Sequence, residues 1–250
     1  MKPRFFSALY QGSAAIAFLS GRKRKFMNLG YAGSDEFAVR ETDKKDAHHI
    51  SLYHLLIGMK DNQPDSALEI GCGRGGGSYV MKNYFNIPAI TAVDLSSGNI
   101  RLASRLVPGV TFITADAVHF RTGNTFDLIV NLESSHRYSS REIFFRNVSQ
   151  MMNSNSSFVF GDMIRKSEET RLEEMMNENG LIIIKKKIVN EGVVRSIEKN
   201  SSRQYPLATK FPFLFPRRIH SFFVTIHSRA YKKLRAGETL YSLYLLKRKG

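Results

Sequence analysis

From about residue 66 the chain alternates short apolar runs with longer stretches whose apolar positions recur at helical spacing. That rhythm predicts βαβ units and an α/β architecture, with helices flanking a mostly parallel sheet. Strands are expected at Ala67–Ile70, Ala89–Val93, Val110–Thr114, Phe126–Asn131 and Ser157–Phe160. Leu181–Val189, with outward lysines, and Leu240–Leu246 add a sixth and a seventh. Helices are expected at Ser78–Phe85, Ser97–Leu106 and Ser139–Met152, the last opened by Ser139 and Glu142 at capping-box spacing. Another is expected from Glu168 to Asn179, with Ser167 as N-cap, an acidic first turn and Gly180 as its stop.

Two regions fall outside this rhythm. Residues 1–60 are expected to form helices preceding the sheet, as a lid, and residues 61–189 the core. Residues 190–237 are expected as a cap inserted before the final strand, which occupies 238–250. The cap contains Phe211-Pro-Phe-Leu-Phe-Pro216, whose prolines exclude a central strand or helix and predict an extended apolar segment. Its aromatics, with Phe222 and Phe223, fit an apolar acceptor or membrane contact, and equally a lid packed on the core.

Composition changes the picture in two places. A single cysteine among 250 residues excludes an internal disulfide framework and fits a reducing, cytoplasmic setting. The 37 Lys and Arg against 22 acids give +15, which favours anionic partners such as nucleic acid, an anionic membrane surface or an acidic carrier protein. Attachment at the periphery of a membrane is compatible with that charge. The basic runs Arg22–Lys25, Lys185–Lys187, Arg217-Arg218 and Lys247–Lys249 read as solvated faces that together could dock such a partner. The apolar run Ala14–Leu19 is too short to span a bilayer.

The chemistry concentrates at the ends of the predicted strands. Ala67-Leu-Glu-Ile-Gly-Cys-Gly-Arg-Gly-Gly-Gly77 turns a strand into a helix through glycines that let backbone approach a ligand. Gly71, Gly73 and Gly76 also satisfy the dinucleotide fingerprint, so the glycines alone leave NAD and S-adenosylmethionine (SAM) both open. Asp94, ending the second strand, suits either cofactor, because an acid there can accept both ribose hydroxyls. Glu69, before the loop, and Asp116-Ala117, after the third strand, separate the two. A carboxylate at Asp116 can bond an adenine amino group, and a dehydrogenase has no evident need for Glu69. Singly, each acid reads as well as a solvated loop carboxylate. Jointly, they occupy three successive strand ends, where ligands of such sheets bind.

These stretches resemble the class I SAM-dependent methyltransferases. Leu68-Glu-Ile-Gly-Cys-Gly-Arg-Gly looks like the first motif, Val93-Asp-Leu-Ser like the second-strand motif, and Ala115-Asp-Ala like the adenine-side motif. The resemblance covers roughly residues 26–250 and implies a Rossmann-like seven-stranded sheet with SAM as cofactor. It implies that Glu69, Gly71 and Gly73 hold the methionine portion, Asp94 and Leu95 the ribose, and Asp116 and Ala117 the adenine. It extends the cofactor-binding set to Cys72, Asn99, Asn131, Leu132 and Glu133, with Tyr31 closing over the cofactor or serving as a buried staple.

Phe126-Asp-Leu-Ile-Val-Asn-Leu-Glu-Ser-Ser-His-Arg-Tyr138 lacks the proline-rich segment of amino-methylating DNA enzymes, which counts against nucleic acid as the acceptor. It is similar to natural-product, sugar and lipid O-methyltransferases, the phthiotriol-lipid and antibiotic-sugar enzymes being the nearest likenesses and sterol C-methyltransferases more distant. Phe26-Met-Asn-Leu-Gly-Tyr31 looks like their lid segment and Tyr231–Tyr241 like their approach to the last strand. Asn153–Ser156 departs from their usual Pro-Gly-Gly turn, at a distal loop. A hydroxyl nucleophile benefits from a base; the resemblance implies His136 for that role, with Asp162 orienting it or binding substrate. His48, His49, His54, His119, His220 and His227 have no comparable placement, and no metal-ligand cluster emerges. The expected acceptor is a small, hydrophobic metabolite. C-methylation of a lipid, methylation of nucleic acid, and a lipid- or carrier-binding module without catalysis remain alternatives.

Overall fold

A computed structural model of the protein describes residues 25–33, 37–60, 63–204 and 224–250. The aromatic run Phe211–Pro216, with Phe222, Phe223 and Arg217-Arg218, lies outside the described residues. Seven strands form one sheet: β1 (Ser66–Ile70), β2 (Ala89–Asp94), β3 (Thr111–Thr114), β4 (Leu128–Leu132), β5 (Ser157–Arg165), β6 (Leu181–Ile188) and β7 (Thr239–Arg248). Their order is β3-β2-β1-β4-β5-β7-β6. β1 to β5 pair in parallel, while β7 runs antiparallel to both β5 and β6. This is the Rossmann-like sheet of the class I methyltransferases.

Helices α1 (Ala47–Ile57), α2 (Gly76–Tyr84), α3 (Ser97–Leu106), α4 (Arg141–Gln150), α5 (Glu169–Glu178), α6 (Asn190–Gln204) and α7 (Arg229–Arg235) flank the sheet. Two apolar layers result. One gathers Ile50, Leu52 and Leu56 of α1, Val80 and Met81 of α2, Val193 of α6 and Leu234 of α7 against Leu243 and Leu245. The other sets Phe144, Phe145 and Val148 of α4, and Leu172 and Met176 of α5, against Phe158, Phe160 and Tyr244. Both α4 phenylalanines are fully buried, and each contributes about 1.5–3 kcal/mol by burial.

Several boundaries differ from the sequence expectation. α4 is capped by Ser140, whose hydroxyl accepts from the Ile143 amide at 3.2 Å, and not by Ser139. Starting one residue later puts Phe144 and Phe145 on the sheet. Ser167 is not an N-cap; Lys166–Glu168 form a 3₁₀ turn, and α5 follows without a side-chain cap. Gly180 ends that unit at φ +83, the left-handed stop that glycine adopts readily. β5 is nine residues long rather than four, because β7 pairs with it as far as Arg165. Before the sheet, the described chain is partly extended: residues 25–33 run without helix, and a 3₁₀ turn at Glu41–Asp46 leads into α1.

Candidate active site

The parallel strands end along one edge, and the loops there carry most of the acids singled out above. After β1 the chain turns at Gly71 (φ +76) and Gly73 (φ +53), conformations that side-chain-bearing residues seldom adopt. A Cβ on Gly71 would lie 2.4 Å from the Ser134 hydroxyl and 2.9 Å from the Tyr138 hydroxyl, so only glycine lets these loops meet. Asp94 holds the turn: one carboxylate oxygen accepts the Gly73 amide at 2.8 Å and the other the Ser96 amide at 2.9 Å. With these donors satisfied, the carboxylate still has accepting capacity for a ligand hydroxyl. Burial raises the Asp94 carboxyl, against the opposing pull of Ser96, Gly73 and Asn99.

Glu69 lies beneath the loop, 2% exposed, accepting from Ser78 at 2.5 Å and from Tyr53 at 3.1 Å. Burial pushes its carboxyl up to about 7 despite those donors, so near neutrality it exchanges a proton readily. Cys72 points inward, with its thiol pushed well up by burial. Asp116 caps its own turn through the Val118 amide at 2.9 Å, beside the buried Ala117. Leu95 follows Asp94 with 47% of its surface exposed, an apolar face next to the ribose-competent acid.

Across the loop, Asn131, next to last in β4, donates to the Ile70 carbonyl at 2.8 Å, to Ser134 at 2.8 Å and to Tyr138 at 2.9 Å. Its amide oxygen, and that of Asn99, are buried without a partner. Orphaned acceptors of this kind are uncommon in a finished core; here they flank a glycine-lined backbone turn and a carboxylate. Acceptors, a bare peptide turn and an exposed leucine match the amine, ribose and adenine of SAM.

Two candidates sit elsewhere than expected. The Tyr31 ring is seated against Gly33 and Gly192, where added Cβ atoms would fall 2.3 Å and 2.1 Å from it, and it does not lie over the glycine loop. Only a glycine floor gives that ring room. The residue facing Gly73 is Met27, whose sulfur would be 3.1 Å from a Cβ there. Sequence reasoning missed Met27, although it lies in the same segment as Tyr31. Glu133 turns its carboxylate inward to accept the Leu29 amide at 2.9 Å and the Tyr241 hydroxyl at 2.5 Å. It does so from φ +51, a strained position for a side-chain-bearing residue. Burial pushes its carboxyl up to about 7. Glu133 thereby ties the strap of residues 26–32 to the core, helped by Asn28 on His49, Ser196 on the Leu29 carbonyl and Arg195 on the Ala32 carbonyl. Leu132, before it, is buried in the sheet core.

His136 and Asp162 do meet. The His136 Nδ1 is 2.7 Å from Asp162 Oδ1, while Asp162 Oδ2 accepts from the Ser135 hydroxyl at 2.6 Å and the His136 amide at 3.0 Å. The Met163 amide adds a fourth donor at 2.8 Å. Burial alone would raise the Asp162 carboxyl; the imidazole beside it and these donors outweigh burial and hold it below the usual carboxylate range. An ionised Asp162 can only accept, so Nδ1 carries a proton, and in the neutral ring the lone pair falls on Nε2. The His136 side chain remains 27% exposed while Asp162 is wholly buried. The buried carboxylate fixes the orientation of the partly exposed imidazole.

Comparison with known proteins agrees with the geometry. Residues 68–160 match the family model described as a methyltransferase domain. The chain is 28% identical over 226 residues to a fatty-acid O-methyltransferase of Mycolicibacterium smegmatis, covering 88% of this chain and 81% of that one. It is 25% identical over 225 residues to a phthiotriol/phenolphthiotriol dimycocerosates methyltransferase of Mycobacterium tuberculosis, covering 88% and 83%. Among solved structures, its fold is similar to the O-methyltransferase of a trans-AT PKS multienzyme of Brevibacillus brevis in complex with S-adenosyl-L-homocysteine. The TM-score is 0.70 at 13% identity, covering 90% of this chain and 85% of that one. Residues 68–160 thus carry a methyltransferase domain, and the fold around it is that of the class I SAM-dependent methyltransferases.

Proposed function

We propose that the enzyme methylates an oxygen, a hydroxyl of a small hydrophobic metabolite of lipid or natural-product type, with His136 as general base. The observation that carries this reading is the 2.7 Å contact between His136 Nδ1 and the buried, ionised Asp162 at the strand-end edge. SAM, when bound, supplies a methyl group on a sulfonium sulfur. The chain's own part is positioning and proton management. The acceptor O–H gives its proton to His136 Nε2 as the O–CH₃ bond forms and the S–CH₃ bond breaks. Asp162 fixes the ring and stabilises the imidazolium that results.

In the same reading, Gly71, Gly73, Asp94, Leu95 and Asn99 hold the methionine and ribose portions, Asp116 and Ala117 the adenine, and Asn131 the methionine end. Glu69 and Cys72 shape the loop from below. The strap at residues 26–32, carrying Met27, borders the acceptor. The lipid-type relatives support a hydrophobic acceptor, and the base supports an oxygen nucleophile. The test is methyl transfer from isotopically labelled SAM to long-chain hydroxylated lipids, with mass spectrometry locating the label. An oxygen-bound methyl is expected. Label found on carbon, or transfer confined to nucleic acid, would remove the hydroxyl assignment.

A further inference from the structure

Of the five large hydrophobic side chains that stand exposed among the described residues, three are on one strand: Ile182 at 41%, Ile184 at 48% and Ile188 at 50%. That strand, β6, is the edge of the sheet and pairs only with β7. Between its isoleucines lie Lys185, Lys186 and Lys187, all exposed. Lys186 is occupied by Glu169 and Glu173 of α5, which also accept from Tyr244. The register puts Ile182, Lys185 and Lys187 opposite Lys247, Leu245 and Leu243 of β7. Leu243 and Leu245 belong to the layer built by α1, α6 and α7, so these positions share the face away from α5, while Ile188, opposite Ser242, lies at the margin of the α5 face of the same edge. A break in register between Ile183 and Lys185 marks a bulge there.

Bulges and lysines are the means by which proteins prevent an edge strand from pairing with a copy of itself, since like charges would face each other. They therefore argue against a second copy as the occupant. Exposed isoleucines, however, are an unusual addition to a strand meant only to stay in water. Aliphatic side chains interleaved with lysines suit a surface that is anionic at its headgroups and apolar just beneath them. Position agrees as well. Asp162 pairs with Ser242, and Ser242 with Ile188, so Ile188 lies two strand spacings, about 10 Å, from the carboxylate that orients His136. A cleft of about 300 Å³ opens at that end of β6, lined by Tyr31, Lys187, Ile188, Val189, Asn190 and Arg195 among others.

We propose that the β6 edge, through Ile182, Ile184 and Ile188 with Lys185 and Lys187, docks the enzyme on an anionic lipid surface beside its acceptor site. No described helix is long and apolar enough to cross a membrane, so this contact is peripheral. The surface contact stands independently of the hydroxyl assignment, which only gives it a purpose.

The test is co-sedimentation of the full chain with phosphatidylglycerol-containing and pure phosphatidylcholine vesicles, with SAM binding measured in parallel by calorimetry. The wild type is expected to bind the anionic vesicles preferentially, with affinity falling as salt rises. Two double variants, I184S/I188S and K185Q/K187Q, are each expected to weaken that binding about tenfold while SAM affinity stays unchanged. Absence of vesicle binding by the wild type overturns the proposal. So does full vesicle binding by both variants, which would assign the contact to another surface. Loss of binding in the lysine variant alone points to purely electrostatic docking, as on an acidic protein, and also overturns it. So does a wild-type dimer in sedimentation velocity that I184S/I188S converts to monomer.

Discussion

The cofactor end of the sheet edge and the acceptor end use buried carboxylates in different ways. At the cofactor end, Asp94 spends its oxygens on the amides of Gly73 and Ser96, and so shapes a backbone cradle. At the acceptor end, Asp162 spends its own on Ser135, His136 and Met163, and so fixes a side chain. Glu133, near Asp162, sharpens the lesson. Asp162 is buried and Glu133 partly so, yet the Glu133 carboxyl is pushed up to about 7 while Asp162 is held below its ordinary range. Burial raises both; the difference is two donors on Glu133 against four on Asp162, one of them the imidazole. Desolvation sets the starting point, and the number and charge of the donors decide the outcome.

The sharpest way to break this division is to remove one function from each end. His136→Ala should lower turnover about 10²–10⁴-fold and leave SAM affinity unchanged; steady-state assays beside calorimetry check both. If affinity fell as steeply as turnover, the two ends would not be separable. Asp94→Ala should weaken SAM about 100-fold, as expected for loss of charged hydrogen bonds worth about 1.5–3 kcal/mol each, again by calorimetry.

Smaller effects follow from protonation. Glu133 sits at about 7 in the folded protein against an ordinary 4.5, so the folded state holds its proton more tightly. Its contribution to stability is fully present below pH 4.5 and declines as pH rises to about 7. Glu69 behaves the same way. Asp162 has the opposite sign: its contribution is present above its ordinary 3.8 and is lost as pH falls through the lower folded value. Urea unfolding of Glu133→Gln should therefore show a flatter decline than wild type between about pH 5 and pH 8. Asp162→Asn should lose its acid-side slope. The smallest effect lies behind both ends: Ser140→Ala should cost α4 about 1 kcal/mol, and Ser139→Ala less than about 0.5 kcal/mol.

The two ends were also unequally legible in the sequence. The cofactor end is local: β1, its glycine turn and α2 are contiguous, and each acid follows directly on the strand that positions it. The His136–Asp162 pair was reachable because His136 follows shortly after β4 and Asp162 stands one residue past Gly161, the last β5 residue paired with β4. What escaped depended on distant chain. Tyr31, a cover for the cofactor or a buried staple by sequence, takes its place from Gly192, far along the chain. The Glu133 carboxylate is met by the Leu29 amide and the Tyr241 hydroxyl, one from before the sheet and one from its last strand. β5 runs on past Phe160, where the apolar run stops at Gly161. In the sheet, a Cβ on Gly161 would lie 2.8 Å from the side chains of Leu132 and Leu243, so the glycine serves tight packing.

The place of β7 between β5 and β6 also governs how the protein can be made. Phe158 must pair with Leu246, so the middle of the acceptor half waits for a strand that leaves the ribosome after β6. Until then, the nascent chain holds β1 to β5 with a long, aromatic-rich margin open at β5. Late, long-range closure of this kind is slow and exposes surfaces that aggregate. Chaperone demand during synthesis, and sensitivity to substitutions in Thr239–Arg248 that never touch the reaction, follow from that order of assembly.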